Sequence, residues 1–314
     1  MKAGFFSVVL LTSLTFQSLS KAETSNQPRA RSGNRSANPI SQQRGRINRI
    51  GTNGSSSATL SAASGVEAIY GYLEFRPSYT TNIGEFHTEN TAEAGYKFRP
   101  NLKAGYVQFY NTNLMNNSIN TSGLNLLMKD GFFYLKAKNL WESSDKHLAL
   151  NYQLRLLTPT NSVKYAAGYR SSIRNQFSAS YLFNDDIKTE LSYNPIYHLY
   201  TKDGALGSSG LSANPYFDHQ LSLTQEFHPG AKWTLSLQLL YQLTSYREFQ
   251  GAANSGRSRK QMYFSPELDY EINPVHTIGV SFYTDNLISD YGSESTVSNG
   301  FKFGVAQLVW GINL

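Results

Sequence analysis

Apolar and polar side chains alternate in stretch after stretch of this chain from about residue 68 onward, and this period of two constrains the fold more than any other feature. In residues 233–244, Trp, Leu and Tyr take the odd positions, while Thr, Ser and Gln take all but one of the even ones. A period of two is typical of a β-strand with one apolar face and one polar face. The stretches are about twice as long as the usual strand of about 5–6 residues. The sequence therefore predicts an all-β protein built from long strands.

The connections between these stretches alternate in length. Short connections lie near residues 99–101, 142–145, 184–186, 228–230 and 273–274. Long polar connections lie between them, at residues 80–90, 112–130, 158–173, 201–214, 248–259 and 285–299. A soluble β-sandwich has no reason to alternate in this way. Bacterial outer-membrane barrels do, because they have short periplasmic turns and longer outer loops.

Twelve strands follow from this pattern, near residues 68–79, 91–99, 102–111, 131–140, 147–157, 174–184, 187–200, 215–227, 233–247, 260–272, 276–284 and 300–314. Residues 163–169 form a possible further strand, which we interpret as a β extension within a long outer loop because one extra strand would break the even count. Ten or fourteen strands remain open. The predicted fold is an antiparallel transmembrane β-barrel over residues 67–314, with a secreted β-sandwich or a solenoid as the alternative.

The amino terminus predicts export. A basic start, an apolar core over residues 5–16 and the small residues Ser20 and Ala22 are typical of a signal peptide spanning residues 1–22. Residues 23–66 contain six arginines, one glutamate and no aromatic residue, so this segment carries a charge of +5, against +6 for the whole chain. We expect this basic tail to be disordered. It would contact lipopolysaccharide or a cell-wall polymer, enter the lumen as a plug, or serve only as a spacer.

Composition excludes several kinds of chemistry. The chain has no cysteine, which excludes a disulfide scaffold, a thiolate metal site and a cysteine nucleophile. No Gly-x-Ser-x-Gly motif occurs, and no spacing indicates a zinc or calcium site, so we predict no catalytic residues, no cofactor and no metal. His198 is predicted to face the lumen and His219 the lipid. Nucleic-acid binding is not expected, because the tail lacks the aromatic side chains used for base stacking.

Charged residues at the predicted lumen positions divide by sign along the chain. The early strands carry the cations and the late strands carry the acids, with Glu74, Glu93 and Lys188 as exceptions. The predicted lumen or selectivity residues are Arg76, Lys97, Lys136, Lys138, Arg155, Asp218, Glu226, Glu267, Asp269 and Glu271. Opposed rows of charge would orient solutes in an open pore. In a closed lumen they would neutralise one another as ion pairs.

The last twelve residues resemble the C-terminal assembly signal of Gram-negative outer-membrane β-barrel (porin-like) proteins. Leu308, Trp310, Ile312 and Leu314 share one face, although the chain ends in Leu rather than Phe. The resemblance implies location in the outer membrane and contact with the barrel-assembly machinery, the lipid bilayer and lipopolysaccharide. The strand count is similar to that of small twelve-stranded channels.

These features predict an outer-membrane channel for passive diffusion of small hydrophilic solutes, with selectivity set by the opposed lumen charges. The alternative is a non-conducting structural or adhesion barrel that acts through its outer loops and basic tail. An outer-membrane lipase or protease is the third hypothesis, although we do not expect an enzyme. The solute, the openness of the lumen and the oligomeric state do not follow from the sequence.

Overall fold

The computed structural model describes residues 69–80, 86–115, 126–207, 210–284, 287–288, 301 and 304–314. The predicted signal peptide and basic tail lie outside these residues. The strands are β1 (Ile69–Thr80), β2 (Phe86–Arg99), β3 (Leu102–Met115), β4 (Leu126–Met128), β5 (Phe132–Glu142), β6 (Leu148–Leu157), β7 (Tyr169–Asn184), β8 (Ile187–Tyr200), β9 (Gly204–Gly207), β10 (Gly210–Ala213), β11 (Pro215–Phe227), β12 (Trp233–Tyr246), β13 (Ser258–Glu271), β14 (His276–Tyr283) and β15 (Val305–Asn313). One short helix, α1 (Ser162–Ala166), precedes β7. No described helix is long and apolar enough to cross a membrane.

The strands form a closed antiparallel barrel. Each long strand pairs with its neighbour in sequence, β2 pairs with both β1 and β3, and β1 pairs with β15. Short β4 lies on β3 just beyond β5, so β4 and β5 together make one interrupted strand of the wall. The small hairpin of β9 and β10 is separate from the wall. The predicted closed barrel of twelve strands is therefore confirmed.

Strands β1 and β15 complete the barrel wall. In β15, Gln307 and Val309 are buried inside, whereas Leu308 and Trp310 are 61% and 46% exposed on the outside. Leu314 extends this outward face, and its backbone exchanges hydrogen bonds with Gly71 of β1, with N···O distances of 3.2 and 2.9 Å. The outward apolar face predicted for the C-terminal assembly signal is thus present. Its use by an assembly machinery stays a prediction.

The two ends of the barrel differ, as the alternating connections predict. All five short connections lie at one end, here called the turn end, together with the start of β1 and the end of β15. One of these turns is fixed by Asp145, which accepts hydrogen bonds from the Ser143 hydroxyl and the His147 backbone N–H. These bonds lower the pKa of the exposed Asp145 carboxyl. The opposite end, here called the loop end, carries α1 and the hairpin of β9 and β10.

Residues 158–168 form a long connection outside the wall, as predicted, but the β extension expected at residues 163–169 is wrong, because α1 occupies most of that range. The Asn161 side chain accepts a hydrogen bond from the Lys164 backbone N–H, as an N-cap does. Lys164 Nζ then pairs with Asp130 at 2.7 Å, and Gly168 ends the turn with φ of +92°. Two predicted strand starts were also too late, since β2 begins at Phe86 and β7 at Tyr169.

Candidate functional site

Arg76 is the centre of a paired charge network on one arc of the lumen. It is 2% exposed, and its Nε lies 2.7 Å from Glu74 on the same strand. Its Nη2 lies 3.3 Å from Glu267 on β13, which stands three strands away around the wall through the β1–β15 closure. Its Nη1 donates to Ser281 on β14 and Gln307 on β15. We call these five residues the arginine cluster.

The arginine cluster continues onto β2 through Glu89. Gln307 Nε2 donates at 2.8 Å to both Ser78 Oγ and Glu89 Oε2. His87 lies 3.4 Å from Glu89, and Tyr283 donates to Glu89 at 3.5 Å. The cluster therefore joins strands on both sides of the closure between β1 and β15. The positive charge of Arg76 is thus compensated within the wall by Glu74 and Glu267.

Three lysines stand directly opposite one another on the next arc. Lys97 of β2 pairs in register with Lys103 of β3, which pairs with Lys136 of β5. Gln153 of β6 and Gln176 of β7 continue the same row. We call Lys97, Lys103 and Lys136 the lysine row. Like charges directly opposite one another destabilise a sheet, so this arrangement is unusual unless it serves a purpose.

The three lysines of the lysine row differ in the contacts they make within the described chain. Lys103 lies 3.5 Å from Glu93 and 4.5 Å from the Tyr70 ring centroid. Lys97 lies 5.6 Å from the same ring centroid. Lys136 is 5% exposed, and among the described residues its Nζ has no carboxylate within ion-pair distance, although Glu190 attracts it from farther away. Lys136 is therefore a buried cation without a carboxylate in contact.

Two tyrosines lean over glycines beside the lysine row. Gly95 and Gly105 stand opposite each other on β2 and β3, and a Cβ at either position would clash with a tyrosine hydroxyl. Tyr70 and Tyr134 meet above them, and Tyr134 also donates to Glu93. Glycine is required here because the rings occupy the space of its missing side chain.

A cavity of about 140 Å³ opens beside the lysine row in the turn-end half of the lumen. We call it the turn-end cavity. Three lysines and one glutamate line it, together with amides, hydroxyls and Tyr152. The lining residues are Lys136, Lys138, Asn139, Asn151, Tyr152, Gln153, Gln176, Ser178, Ser180, Lys188 and Glu190. Lys188 is held at 3.0 Å by Glu226 of β11.

A serine, a histidine and an aspartate meet near the loop end. Ser172 Oγ lies 2.7 Å from His198 Nδ1, and His198 Nε2 lies 3.1 Å from Asp218. The composition resembles a hydrolase triad, but Ser172 is fully buried, and Tyr169 lies within hydrogen-bonding distance of its oxygen at 2.9 Å. A nucleophile must reach its substrate, so this arrangement is a structural contact. Among the described residues, no group of three or more His, Cys, Asp or Glu is placed to hold a metal ion.

The structure places the predicted lumen residues as follows. Arg76, Lys136, Arg155, Asp218, Glu267 and Asp269 are buried, and Lys97, Lys138, Glu226 and Glu271 are partly exposed. Arg76 and Glu267 are brought into contact, but around the wall rather than across the lumen. Strand β5, with Lys136 and Lys138, stands six strands from β13 in either direction, so these lysines face the acids of β13 across the barrel.

Sequence reasoning missed several residues of this lumen. Lys103, Gln153 and Gln176 were not selected, although Lys103 belongs to the lysine row and the two glutamines continue it and line the turn-end cavity. Gln307 and Glu89 were missed in the arginine cluster. A charged residue two positions into a predicted strand was the available signal for Lys103, whereas uncharged glutamines gave none.

A family model matches most of the chain. The family model described as the MetA-pathway of phenol degradation matches residues 48–301. The chain belongs to this family. The match spans most of the barrel, from before β1 to the loop that precedes β15. No curated protein matches the chain.

One solved outer-membrane channel shares the fold, and two solved porins align with lower scores. An outer membrane channel from Pseudomonas putida aligns over 80% of this chain and 97% of its own, with a TM-score of 0.52 and 12% identity. The NanC porin aligns over 76% and 98%, with a TM-score of 0.48 and 12% identity. The KdgM porin aligns over 77% and 97%, with a TM-score of 0.44 and 8% identity. This member of the phenol-degradation family thus has the barrel fold of an outer-membrane channel.

Proposed function

We propose that the protein is an outer-membrane channel for passive diffusion of small hydrophilic solutes, with selectivity set by charges on opposite arcs of the lumen. The observation that carries this proposal is the lysine row, since it places three cations in register on a polar inner wall. Pores use rings and rows of fixed charge to choose among ions. A wall built only for stability would alternate the signs of neighbouring charges.

The opposite arc supports the same proposal. Strand β13 carries Glu267, Asp269 and Glu271 on alternate positions, and it stands across the barrel from Lys136 and Lys138 on β5. Opposed charges would produce a field across the pore that orients a dipolar or charged solute. Such fields attract or exclude ions according to sign.

The location and partners are part of the proposal. The apolar outer face, with Leu308 and Trp310 exposed, suits lipid contact, and a closed barrel leaves no unpaired strand edge in the bilayer. We infer export by the N-terminal signal peptide and insertion by the barrel-assembly machinery through the outward face of β15. Lipopolysaccharide would then contact the loop end. No hydrolytic role is proposed, because Ser172 is buried.

Single-channel recording in planar bilayers tests the channel. We expect discrete conductance steps from the full chain, and a reversed ion preference when Lys136→Glu and Lys138→Glu are combined. The measurement is the reversal potential in a potassium chloride gradient. The matched control is Lys146→Glu with Lys232→Glu, which makes the same charge change at exposed turn-end positions.

Steps with an unchanged reversal potential in the lumen double variant would overturn the selectivity mechanism. No steps at all from a folded barrel would overturn the channel itself. The non-conducting structural or adhesion barrel would then be the better description.

A further inference from the structure

We propose that the turn-end cavity is a binding site for a small hydroxylated carboxylate, anchored by Lys136. This inference rests on the proposed function, because solute would reach the cavity through the lumen. The inference specifies the chemical class of solute that binds in the lumen during its passage.

The first argument is the uncompensated charge of Lys136. Burying a cation without a partner is costly, and removing this cost requires an anion in contact with it. Lys103 stands opposite Lys136 and Lys138 follows two positions along the strand, so most of the neighbouring fixed charges are of the same sign. Glu190 is the exception, but this one carboxylate is shared among Lys136, Lys138 and Lys188. A carboxylate bound beside Lys136 would complete the site.

The second argument is the orientation of two glutamines. Arg155 Nη2 donates at 2.8 Å to Oε1 of Gln153 and at 2.8 Å to Oε1 of Gln176. Both amide oxygens are therefore occupied, and each amide nitrogen remains to serve as a donor. Gln153 is 2% exposed, and within the described chain its Nε2 has no hydrogen-bond acceptor. An unsatisfied buried donor beside an unpaired cation calls for a ligand with acceptor oxygens.

The third argument is size and polarity. A cavity of about 150 Å³ holds benzene in a well-studied engineered protein, so the 140 Å³ here suits one six-membered ring. Amides and hydroxyls of Asn151, Gln176, Ser178 and Ser180 line it. These groups suit a ring that carries hydroxyls better than a bare aromatic ring. A carboxylated sugar suits the site in charge and polarity, and its ring suits the cavity in size, with its substituents reaching into the lumen.

Calorimetry on the full chain in detergent tests the site without requiring conduction. D-glucuronate is the probe, and D-glucose is the matched solute with the same ring and no carboxylate. We expect glucuronate to bind and glucose not to bind. Lys136→Gln should weaken glucuronate binding at least about tenfold, whereas Lys232→Gln at an exposed turn should leave it unchanged. Lys136→Arg, which keeps the charge, should retain binding and guards against a folding defect in Lys136→Gln.

Each outcome separates the two proposals. Binding of glucuronate that depends on Lys136 supports the site, even if bilayer recordings show no steps and the channel is overturned. Equal binding of glucose, tighter binding of benzoate than of glucuronate, or no binding to a folded barrel overturns the site. If conductance steps are present in that case, the channel stands and only its solute class must be replaced.

Discussion

Two arcs of the lumen wall differ in how many carboxylates contact their positively charged side chains. In the arginine cluster, Arg76 is surrounded by Glu74, Glu267 and two neutral acceptors, so each donor group has a partner within the wall. In the lysine row, Lys97, Lys103 and Lys136 stand side by side on adjacent strands. Both arcs are lumenal and both contain cations, but only in the first do carboxylates from two different strands contact the same cation.

This difference in compensation indicates that the arginine cluster serves stability and that the lysine row serves function. A buried arginine with two carboxylates fixes the positions of the strands it joins, and losing it leaves those acids unpaired. A row of like charges makes no such contribution, and it weakens the sheet slightly. The arginine cluster is therefore expected to stabilise the barrel, whereas the lysine row is expected to act on what passes through it.

Arg76→Met should have the largest effect on stability. It leaves Glu74 and Glu267 buried without their shared cation, and breaking a buried pair in this way costs about 3–5 kcal/mol. The free energy of unfolding would be measured by urea titration of the barrel in lipid vesicles, followed by tryptophan fluorescence. An unchanged urea midpoint would show that the arginine cluster does not hold the wall together.

Glu267→Gln should have a smaller effect, because Arg76 keeps Glu74 at 2.7 Å. The expected loss is about 1.5–3 kcal/mol, the usual value of one hydrogen bond to a charged group. The same urea titration gives the result. Combining it with Arg76→Met measures the coupling, and additive losses from the two variants would contradict a direct interaction between Arg76 and Glu267.

Lys136→Met should have the smallest effect on stability and the opposite sign. Removing one of three like charges in register should raise the free energy of unfolding by about 0.2–1 kcal/mol. The gain should shrink in high salt, since screening already weakens the repulsion between partly exposed neighbours. Lys232→Met serves as the control at an exposed turn. A decrease in the free energy of unfolding as large as that of Arg76→Met would mean that Lys136 stabilises the barrel. The two arcs would then not differ in their contribution to stability.

The wall of the barrel was predictable because lipid outside and polar groups inside impose a strict period of two. Strand β12 shows this best, with Trp233 and Leu239 exposed and Gln238 and Gln242 buried. Strand β3 shows the limit. Its inward positions include Val107 and Phe109, which pack with other apolar side chains in the lumen, so both faces are apolar and the period disappears. Lys103 was missed for this reason.

Contacts that depend on strand order or on loop packing were harder to predict from the sequence. The pairing of Arg76 with Glu267 joins residues far apart in sequence, and it requires the closure of β1 on β15. The helix α1 depends on the cap by Asn161 and on the contact of Lys164 with Asp130, which residues 158–173 alone do not reveal. The opposed charges were predicted from their order along the chain, but which pairs touch depends on register.

The closure of β1 on β15 also has a consequence for how the barrel reaches its native state. Leu314 exchanges hydrogen bonds with Gly71, so the seam joins residues far apart in sequence, and such long-range contacts form slowly. A slip of one residue at the seam would turn Gln307 toward lipid and move it away from Arg76. The arginine cluster therefore gives the native pairing of β1 with β15 a lower free energy than a shifted pairing. It selects the native register when the barrel closes.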